Sequence, residues 1–281
     1  MSGTKFFRNF PKVNYNFGDN ELPVSYQNIS VYIDAFDQVK EYKAFYQNYQ
    51  IKNNQRPDQL SHELYGTTDY YWTFFLMNET LRERGWPINN SQVYAQAGKY
   101  YPNAVVTTDG TAFVEATRET KPISRASTFV VGQYVWLSTL KKAAKILRIE
   151  DNLSQYHLDT TEVPRSTEAT ISTISETDAL YINNTDPDFV PTILEQTNVV
   201  TAVAQRDAIH HYEDAEGNWV YPSYDPEPPY AFQWSSVNAF QSISYFQRFR
   251  DLNEETRSIR VLKPDTIIQV VSEFNALLKA R

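Results

Sequence analysis

The chain has 281 residues, which is long enough for two domains that each bury a core. Its net charge is −8 and it contains no basic run, so it lacks the positive surface that proteins use to wrap nucleic acid. It has no cysteine, which excludes disulfides and thiolate chemistry and suits assembly in a reducing cytoplasm.

Aromatic side chains are unusually frequent, with 20 Tyr and 16 Phe. Such residues supply large contact areas at protein interfaces and also fill hydrophobic cores, so both interpretations stay open. The first residues lack the apolar run of a signal peptide, and no later run approaches the roughly 20 apolar residues of a membrane span. We therefore expect a soluble intracellular product that meets neither nucleic acid nor membrane.

Residues 1 to about 28 alternate aromatic with polar residues and show poor periodicity. A turn signal lies at Gly18-Asp19-Asn20. We expect an extended arm that becomes ordered by lying on another surface. Its aromatic residues include Phe6, Phe7, Phe10, Tyr15, Phe17 and Tyr26. Beyond the arm, Ile29–Ile33 predicts a short strand, and Asp37–Tyr49 predicts a helix or a strand.

The stretch from Arg56 to Asn78 predicts two short helices joined by a tight turn. Pro57 suits a first helical position, where its missing N–H costs nothing. Gly66 supplies a left-handed C-terminal cap for this first helix. Thr68 then caps the second helix by accepting an orphan backbone N–H, and the carboxylate of Asp69 favours the positive end of its dipole.

The second of these helices is apolar nearly all round. A helix of this kind must be covered on several sides, so its own domain covers one face and a partner is a candidate for another. Its apolar residues are Tyr70, Tyr71, Trp72, Phe74, Phe75, Leu76 and Met77.

A β-rich segment is predicted at roughly residues 101–200. Val105 to Val114 is typical of a hairpin, because Asp109-Gly110 tolerates the positive φ angles of a two-residue turn. Short strands between turn residues favour a small sandwich or barrel. The further predicted strands are Phe129–Val131, Tyr134–Leu137, Ile146–Ile149, Ala169–Ile174 and Ala179–Ile182.

The last segment, residues 201–281, combines a stiff proline connector at 222–229 with a strand and a helix. Ile259 and Val261 alternate with polar residues as in a strand, and Asn253–Thr256 is predicted to be the turn of a hairpin. A helix through Phe246, Phe249 and Leu252 is the alternative. After Pro264 an amphipathic helix is predicted, with one apolar stripe of Ile267, Val270, Val271, Phe274, Leu277 and Leu278.

Groups that could carry chemistry are sparse. His62-Glu63 lacks the second histidine of a zinc-protease helix, and is interpreted as helix surface. His210-His211 precedes Glu213 and Asp214, but adjacent strand residues point to opposite faces, which argues against one shared ion. No nucleophile elbow or phosphate loop is present. We predict no enzyme activity and no catalytic, cofactor or metal residue.

Several motifs resemble known families. A strand at 46–51 followed by Asp58-Gln59-Leu60, Leu64-Tyr65-Gly66 and Asn78 resembles a LysM module, in which a strand leads into two helices. With Pro57 and Tyr70-Tyr71-Trp72, the segment resembles the LysM-like part of the baseplate wedge protein of contractile-tailed, myovirus-type bacteriophages. The same family is matched at both ends, in Phe10-Pro11, Val13-Asn14-Tyr15, Trp86-Pro87 and the ending Asn253-Glu254-x-x-Arg257-x-Ile259.

The resemblance implies an α+β fold: a LysM-like domain at 29–100, the β-rich insertion at 101–200 and a C-terminal hairpin with an amphipathic helix. It also implies a non-enzymatic structural subunit of the phage tail baseplate, which clamps the wedge core and links neighbouring wedges into the inner ring. Its expected partners are other wedge subunits and neighbouring wedges, with sheath-initiating or tail-hub proteins as further candidates. The protein would reside in the virion and be assembled in the host cytoplasm.

Two alternatives stay open, a LysM-type peptidoglycan-binding protein and a cell-wall hydrolase accessory. LysM modules hold glycans with the loops that correspond here to Asn53–Arg56 and Asn78–Thr80, but the apolar second helix is more typical of protein docking. The residues predicted to contact protein partners are Phe6, Phe7, Phe10, Tyr15, Tyr70, Tyr71, Trp72, Phe75, Asn253, Glu254, Arg257 and Ile259.

Overall fold

The computed structural model describes residues 12–16, 23–27, 39–122, 129–164, 168–184, 186, 188–221, 223–225, 231–233 and 240–280. Helices and antiparallel strands are both present, which confirms the α+β class. The chain forms two compact units: unit 1 comprises Met1–Gln92 and Asp251–Arg281, and unit 2 comprises Val93–Arg250. The predicted C-terminal segment is therefore divided, with 201–250 in unit 2 and 251–281 in unit 1.

The strands, in chain order, are β1 Lys12–Tyr15, β2 Val24–Gln27, β3 Tyr46–Gln50, β4 Ala104–Thr108, β5 Thr111–Val114, β6 Glu119–Pro122, β7 Tyr134–Leu137, β8 Lys142–Glu150, β9 Gln155–Leu158, β10 Thr170–Ile174, β11 Ile193–Ala204, β12 Ile209–Glu213, β13 Trp219–Val220, β14 Ser223–Asp225, β15 Ala231–Gln233, β16 Gln241–Ser244 and β17 Ser258–Leu262. The α-helices are α1 Pro57–Tyr65, α2 Trp72–Met77, α3 Glu79–Arg84, α4 Asn90–Tyr100, α5 Glu176–Asn184, α6 Tyr245–Glu255 and α7 Ile267–Ala280. Among the helices described, none has the length and apolar character needed to cross a membrane.

Unit 1 is built around a two-stranded antiparallel ribbon of β3 and β17, in which Tyr46 lies opposite Leu262 and Gln50 opposite Ser258. The first predicted helix is confirmed. It begins at Pro57, its N-cap N–H is bonded to the Gln59 side chain at 3.0 Å, and Gly66 ends it with φ of 70°.

The second predicted helix is interrupted. A 3₁₀ helix at Thr68–Tyr70 precedes α2, and Asn78 separates α2 from α3 with an extended backbone. Thr67, and not Thr68, is the N-cap, because its Oγ1 accepts the N–H of Asp69 at 3.3 Å. The break at Asn78 frees its amide to bond the backbone of β17.

The aromatic helix α2 is covered on two sides by the chain itself. On one side Trp72, Leu76 and Met77 pack with Ile267, Val270 and Phe274 of α7. On the other side, Phe74 packs with a second cluster of Leu60, Leu81, Ile259 and Val261. The expectation that this helix is buried on several faces is confirmed, and α7 and β17 supply much of the cover.

The predicted hairpin around Asn253–Thr256 is wrong, and the helical alternative is correct. Residues 245–255 form α6, because Phe246 and Phe249 lie on one helical face and pack on aromatic rings of α4. The ring centroids are 5.1 Å apart for Phe246 and Tyr94, and 5.3 Å apart for Phe249 and Tyr100. The strand with Ile259 and Val261 is confirmed as β17, with both side chains buried.

Unit 2 contains a closed barrel. Six antiparallel strands pair in the order β10–β7–β8–β9–β4–β11, and β11 pairs back onto β10. Its interior is a single hydrophobic cluster, formed by Val106, Ala112, Phe129, Val135, Leu137, Ala144, Ile146, Tyr156, Leu158 and Ile171. The β-rich prediction is confirmed, and of its two architectures the barrel is the one observed.

Three local predictions in unit 2 are wrong. β4 and β5 do not pair as a hairpin; both lie along the long strand β11, at Val199–Ala204 and at Glu195 and Gln196. Residues 179–182 belong to α5, where Ala179 and Ile182 are spaced to pack on the barrel strands. Residues 129–131 form a turn, closed by a 3.1 Å bond from Gln133 N–H to the carbonyl of Val130.

Some predictions concern residues that lie wholly or partly outside the described ranges, or that join two elements. The strand at Ile29–Ile33 and most of the connector at 222–229 lie outside the described residues, although 223–225 forms β14. Within 37–49, residues 39–41 form a helical turn and 46–49 belong to β3. On α7, Ile267, Val270 and Phe274 are buried as predicted, and the side chains of Leu277 and Leu278 lie outside the description.

Replacement of Phe274 tests the packing of α7 in unit 1. Phe274 is 2% exposed and its ring centroid lies 5.3 Å from that of Trp72. Phe274→Ala should lower the free energy of unfolding by about 3–5 kcal/mol, since a buried ring is lost and a cavity remains. Ile268→Ala is the matched control, because Ile268 lies on the same helix and is 70% exposed. Equal melting temperatures for the two variants would contradict this packing.

Candidate assembly surfaces

The N-terminal segment contains a β-hairpin with one apolar face. β1 and β2 pair with Val13 opposite Tyr26 and Tyr15 opposite Val24. Cross-strand partners share a face, and so do residues two apart, so these four side chains lie together. Each is between 44% and 59% exposed. The described part of the predicted arm is thus a hairpin with an apolar face, while Phe6, Phe7 and Phe10 lie outside the described residues.

The aromatic residues predicted as interface on the second helix differ in exposure. Trp72 is 8% exposed, so it has little surface left to offer a partner. Tyr70, Tyr71 and Phe75 are half-buried and retain accessible area. An interface at these three residues stays a prediction.

Asn253, Arg257 and Ile259, also predicted as interface, are buried in unit 1. The Asn253 amide holds Ile88 by both backbone groups: Oδ1 accepts the N–H at 2.7 Å, and Nδ2 donates to the carbonyl at 3.2 Å. Ile259 belongs to the hydrophobic cluster beneath α2. These residues support the interior of unit 1, and a sequence motif alone did not distinguish that role from docking.

Arg257 lies at the centre of a polar cluster that also contains Asn253 and the backbone of Ile88. Its Nη2 donates to the Ile88 carbonyl at 2.9 Å and to Asn90 Oδ1 at 2.7 Å. Its Nε donates to Glu254, whose carboxylate is exposed at the other end. A planar guanidinium can form these hydrogen bonds together, because it presents several donors in fixed directions. The cluster therefore ties the loop at 86–90 to the end of α6.

The two loops that a LysM module would use for glycans are engaged within the chain. Asn53 Oδ1 accepts the backbone N–H of Asn90 at 3.2 Å, and the Gln55 carbonyl accepts the Trp86 indole N–H at 2.6 Å. The Asn78 amide donates to the carbonyl of Arg260 and accepts its N–H, both at 2.8 Å. A glycan would have to compete with these bonds.

The adjacent histidines of unit 2 meet, contrary to the sequence argument. A register shift between Ile209 and His211 breaks the strand alternation, and the two Nδ1 atoms approach to 2.9 Å. His211 Nε2 contacts Glu213 Oε1 at 2.8 Å. The described residues hold no group of three or more His, Cys, Asp or Glu arranged for a metal ion.

Burial controls the protonation of this cluster. It lowers the pKa of His210 to about 4, with the electrostatic effects of His211 and Arg248 as further causes. It also lowers the pKa of His157 to about 4, helped by Arg148 and His210. The rings of His157 and His210 lie on Tyr245, with centroids 5.8 Å and 4.7 Å away. Burial thus favours the neutral imidazole form of His157 and His210.

These features describe an α+β protein with an apolar hairpin face and with polar side chains that hold its loops. Residues 6–115 match the family model described as Base plate wedge protein 53. The match confirms the resemblance to phage baseplate wedge proteins and supports a structural role in the tail baseplate. It covers the hairpin, the helices α1 to α4 and the strands β4 and β5. No curated protein sequence matches the chain.

Asn253→Ala tests whether the polar cluster supports unit 1. The change leaves both backbone groups of Ile88 without their amide partner, so unfolding should become easier by about 1–3 kcal/mol. Glu255→Ala is the control on the same helix, because it removes only an exposed ion pair with Arg84, worth about 0–1 kcal/mol. Denaturant unfolding measures both, and a larger loss for Glu255→Ala would contradict the assignment.

The histidine cluster predicts a pH dependence for unit 2. The unfolded chain binds protons below about pH 6.5, whereas folded His157 and His210 bind them only near pH 4. Their contribution to stability is therefore full above pH 6.5 and is lost as pH falls to about 4. Thermal melts across this range should show that decline, and His157→Gln should make it shallower.

The control for this experiment is His62→Gln, which replaces an exposed histidine of unit 1 and should retain the decline that depends on His157. Carboxylates also titrate in this range, but they are common to all three proteins. Parallel profiles for the parent and His157→Gln would show that His157 titrates alike in the folded and unfolded chains.

Proposed function

We propose that this chain is a structural subunit of a phage baseplate wedge, which clamps the wedge core and links neighbouring wedges into the inner ring. The apolar face of the β1–β2 hairpin is the observation that carries the proposal. A two-stranded hairpin is marginally stable alone in water, and contact of its apolar face with another surface stabilises it. The hairpin also lies within the matched residues 6–115.

The role of the hairpin is to reach a different copy or subunit from the one that contacts the rest of unit 1. Unit 1 already has two internal hydrophobic clusters that are closed by its own helices and ribbon. The hairpin face, with Val13 44% and Val24 45% exposed, is a separate surface. A bridging subunit needs at least two such separate surfaces. Its partners are other wedge subunits, and its place is the virion tail after assembly in the host cytoplasm.

Deletion of residues 1–28 should leave a folded protein that joins a single wedge, while closure of the ring fails. Each aromatic anchor lost from an interface costs about 2 kcal/mol or more. Wedges assembled from the other subunits of the same tail are mixed with the deletion protein, and the products are weighed by sedimentation. Closed rings of normal mass would contradict the bridging role.

Paired substitutions test the contribution of the apolar hairpin face without shortening the arm. Val13→Ser with Val24→Ser removes apolar area from one face and should weaken ring closure. Lys12→Ser with Asn14→Ser changes the opposite face of the same strand and should leave closure intact. Equal effects of the two double variants would show that the apolar face is not the contact.

A further inference from the structure

The β3–β17 ribbon has two outer edges, which differ in whether their backbone groups are hydrogen-bonded. In an antiparallel pair, alternate residues point their N–H and C=O groups to the partner strand and away from it. Arg260 of β17 points outward, and the Asn78 amide bonds both of its backbone groups at 2.8 Å. The Leu262 carbonyl accepts the Tyr65 hydroxyl at 2.9 Å. The outer edge of β17 is therefore capped by side chains of unit 1.

Among the described residues, none pairs with the outer edge of β3. Bonds from Ile51 N–H to Arg257 and from Lys263 N–H to Phe45 fix the register, so the backbone groups of Gln47 and Tyr49 face β17. Those of Tyr46, Asn48 and Gln50 face the other way. Within the described part of the chain, no hydrogen bond reaches these outward groups. An uncapped edge of this kind is a template for another strand.

A positively charged depression adjoins this open edge. It has a volume of 350 Å³ and is lined by Lys43, Tyr46, Gln47, Asn48 and Arg260. The Arg260 guanidinium lies over the Tyr46 ring, 5.1 Å from its centroid, which fixes the position of the charge. Neither Lys43 nor Arg260 forms an ion pair with any described residue. Two cations thus flank the edge in a chain whose net charge is −8.

We propose that the edge of β3 binds an extended segment of another protein that carries carboxylate side chains. The segment would add as a third strand through Tyr46, Asn48 and Gln50, and its alternate side chains would meet Lys43 and Arg260. A second copy of β3 is a poor occupant, because pairing would bring the same cations face to face. The inference rests on unit 1 alone and is independent of the ring-closing role proposed above.

Hydrogen exchange on the full chain tests the edge directly. In the free protein, the amides of Tyr46, Asn48 and Gln50 should exchange fast, and those of Gln47 and Tyr49 slowly. The probe is an acetylated and amidated peptide of alternating Val and Glu, and the matched peptide has Lys in place of Glu. Adding the Glu peptide should slow the outward amides and leave the inward pair unchanged. The Lys peptide should have no effect.

Substitutions then separate charge from backbone pairing. Lys43→Gln and Arg260→Gln should each weaken binding of the Glu peptide about tenfold, the size of one charge-assisted contact. Lys52→Gln, which removes a cation already paired with Glu63, is the control. Asn48→Pro removes one outward N–H without touching the β17 register and should abolish protection.

Three results would overturn the proposal. Outward amides that are already slow in the free protein would mean that another part of this chain, such as the predicted strand at 29–33, occupies the edge. Equal binding of the Glu and Lys peptides would remove the charge argument. Binding of the Glu peptide with outward amides still fast would place it elsewhere. Ring-closure assays are not needed for any of these outcomes, so failure here leaves the proposed function standing.

Discussion

Unit 1 depends on the pairing of β3 with β17, which joins two strands separated in sequence by the whole of unit 2. The ribbon supplies Ile259 and Val261 to one hydrophobic cluster and Leu262 to the other. Closing a long loop costs entropy only as the logarithm of its length, and unit 2 has its own core, so the insertion is tolerated. The chain leaves unit 1 within α4 and returns within α6.

Polar side chains bond the backbone N–H and C=O groups that this strand pairing leaves without a partner. Asn78 caps the edge of β17, Asn253 holds Ile88, and Arg257 joins the same loop. A buried backbone N–H or C=O without a partner is costly, so each irregular segment of unit 1 needs such a group. This explains why Asn253 and Arg257, two of the three named residues of the ending Asn253-Glu254-x-x-Arg257, face the interior. A motif of this kind records contacts that hold the fold of unit 1.

Elements that are determined by residues close in sequence were predicted correctly, and elements that depend on pairing with distant residues were missed. Pro57, Gly66 and the stripe of α7 are recognisable because each acts within a few residues. The hairpin at Asp109-Gly110 failed because β11, far along the chain, pairs with both β4 and β5. Strand alternation predicted that His210 and His211 point to opposite faces, yet a register shift brings their rings together. Among the predicted interface residues, exposure depends on which helix packs on α2, and helical periodicity cannot give that.

The two proposed surfaces of unit 1 rely on different forces. The hairpin face offers Val13, Val24 and two tyrosines, whose burial is driven by the removal of apolar area from water. The edge of β3 offers backbone groups and two cations, whose attraction for carboxylates is screened over roughly 8–10 Å at ordinary salt. Salts that strengthen apolar burial should leave the first contact intact while they weaken the second. Ionic strength should therefore separate the two proposed contacts without any change of sequence.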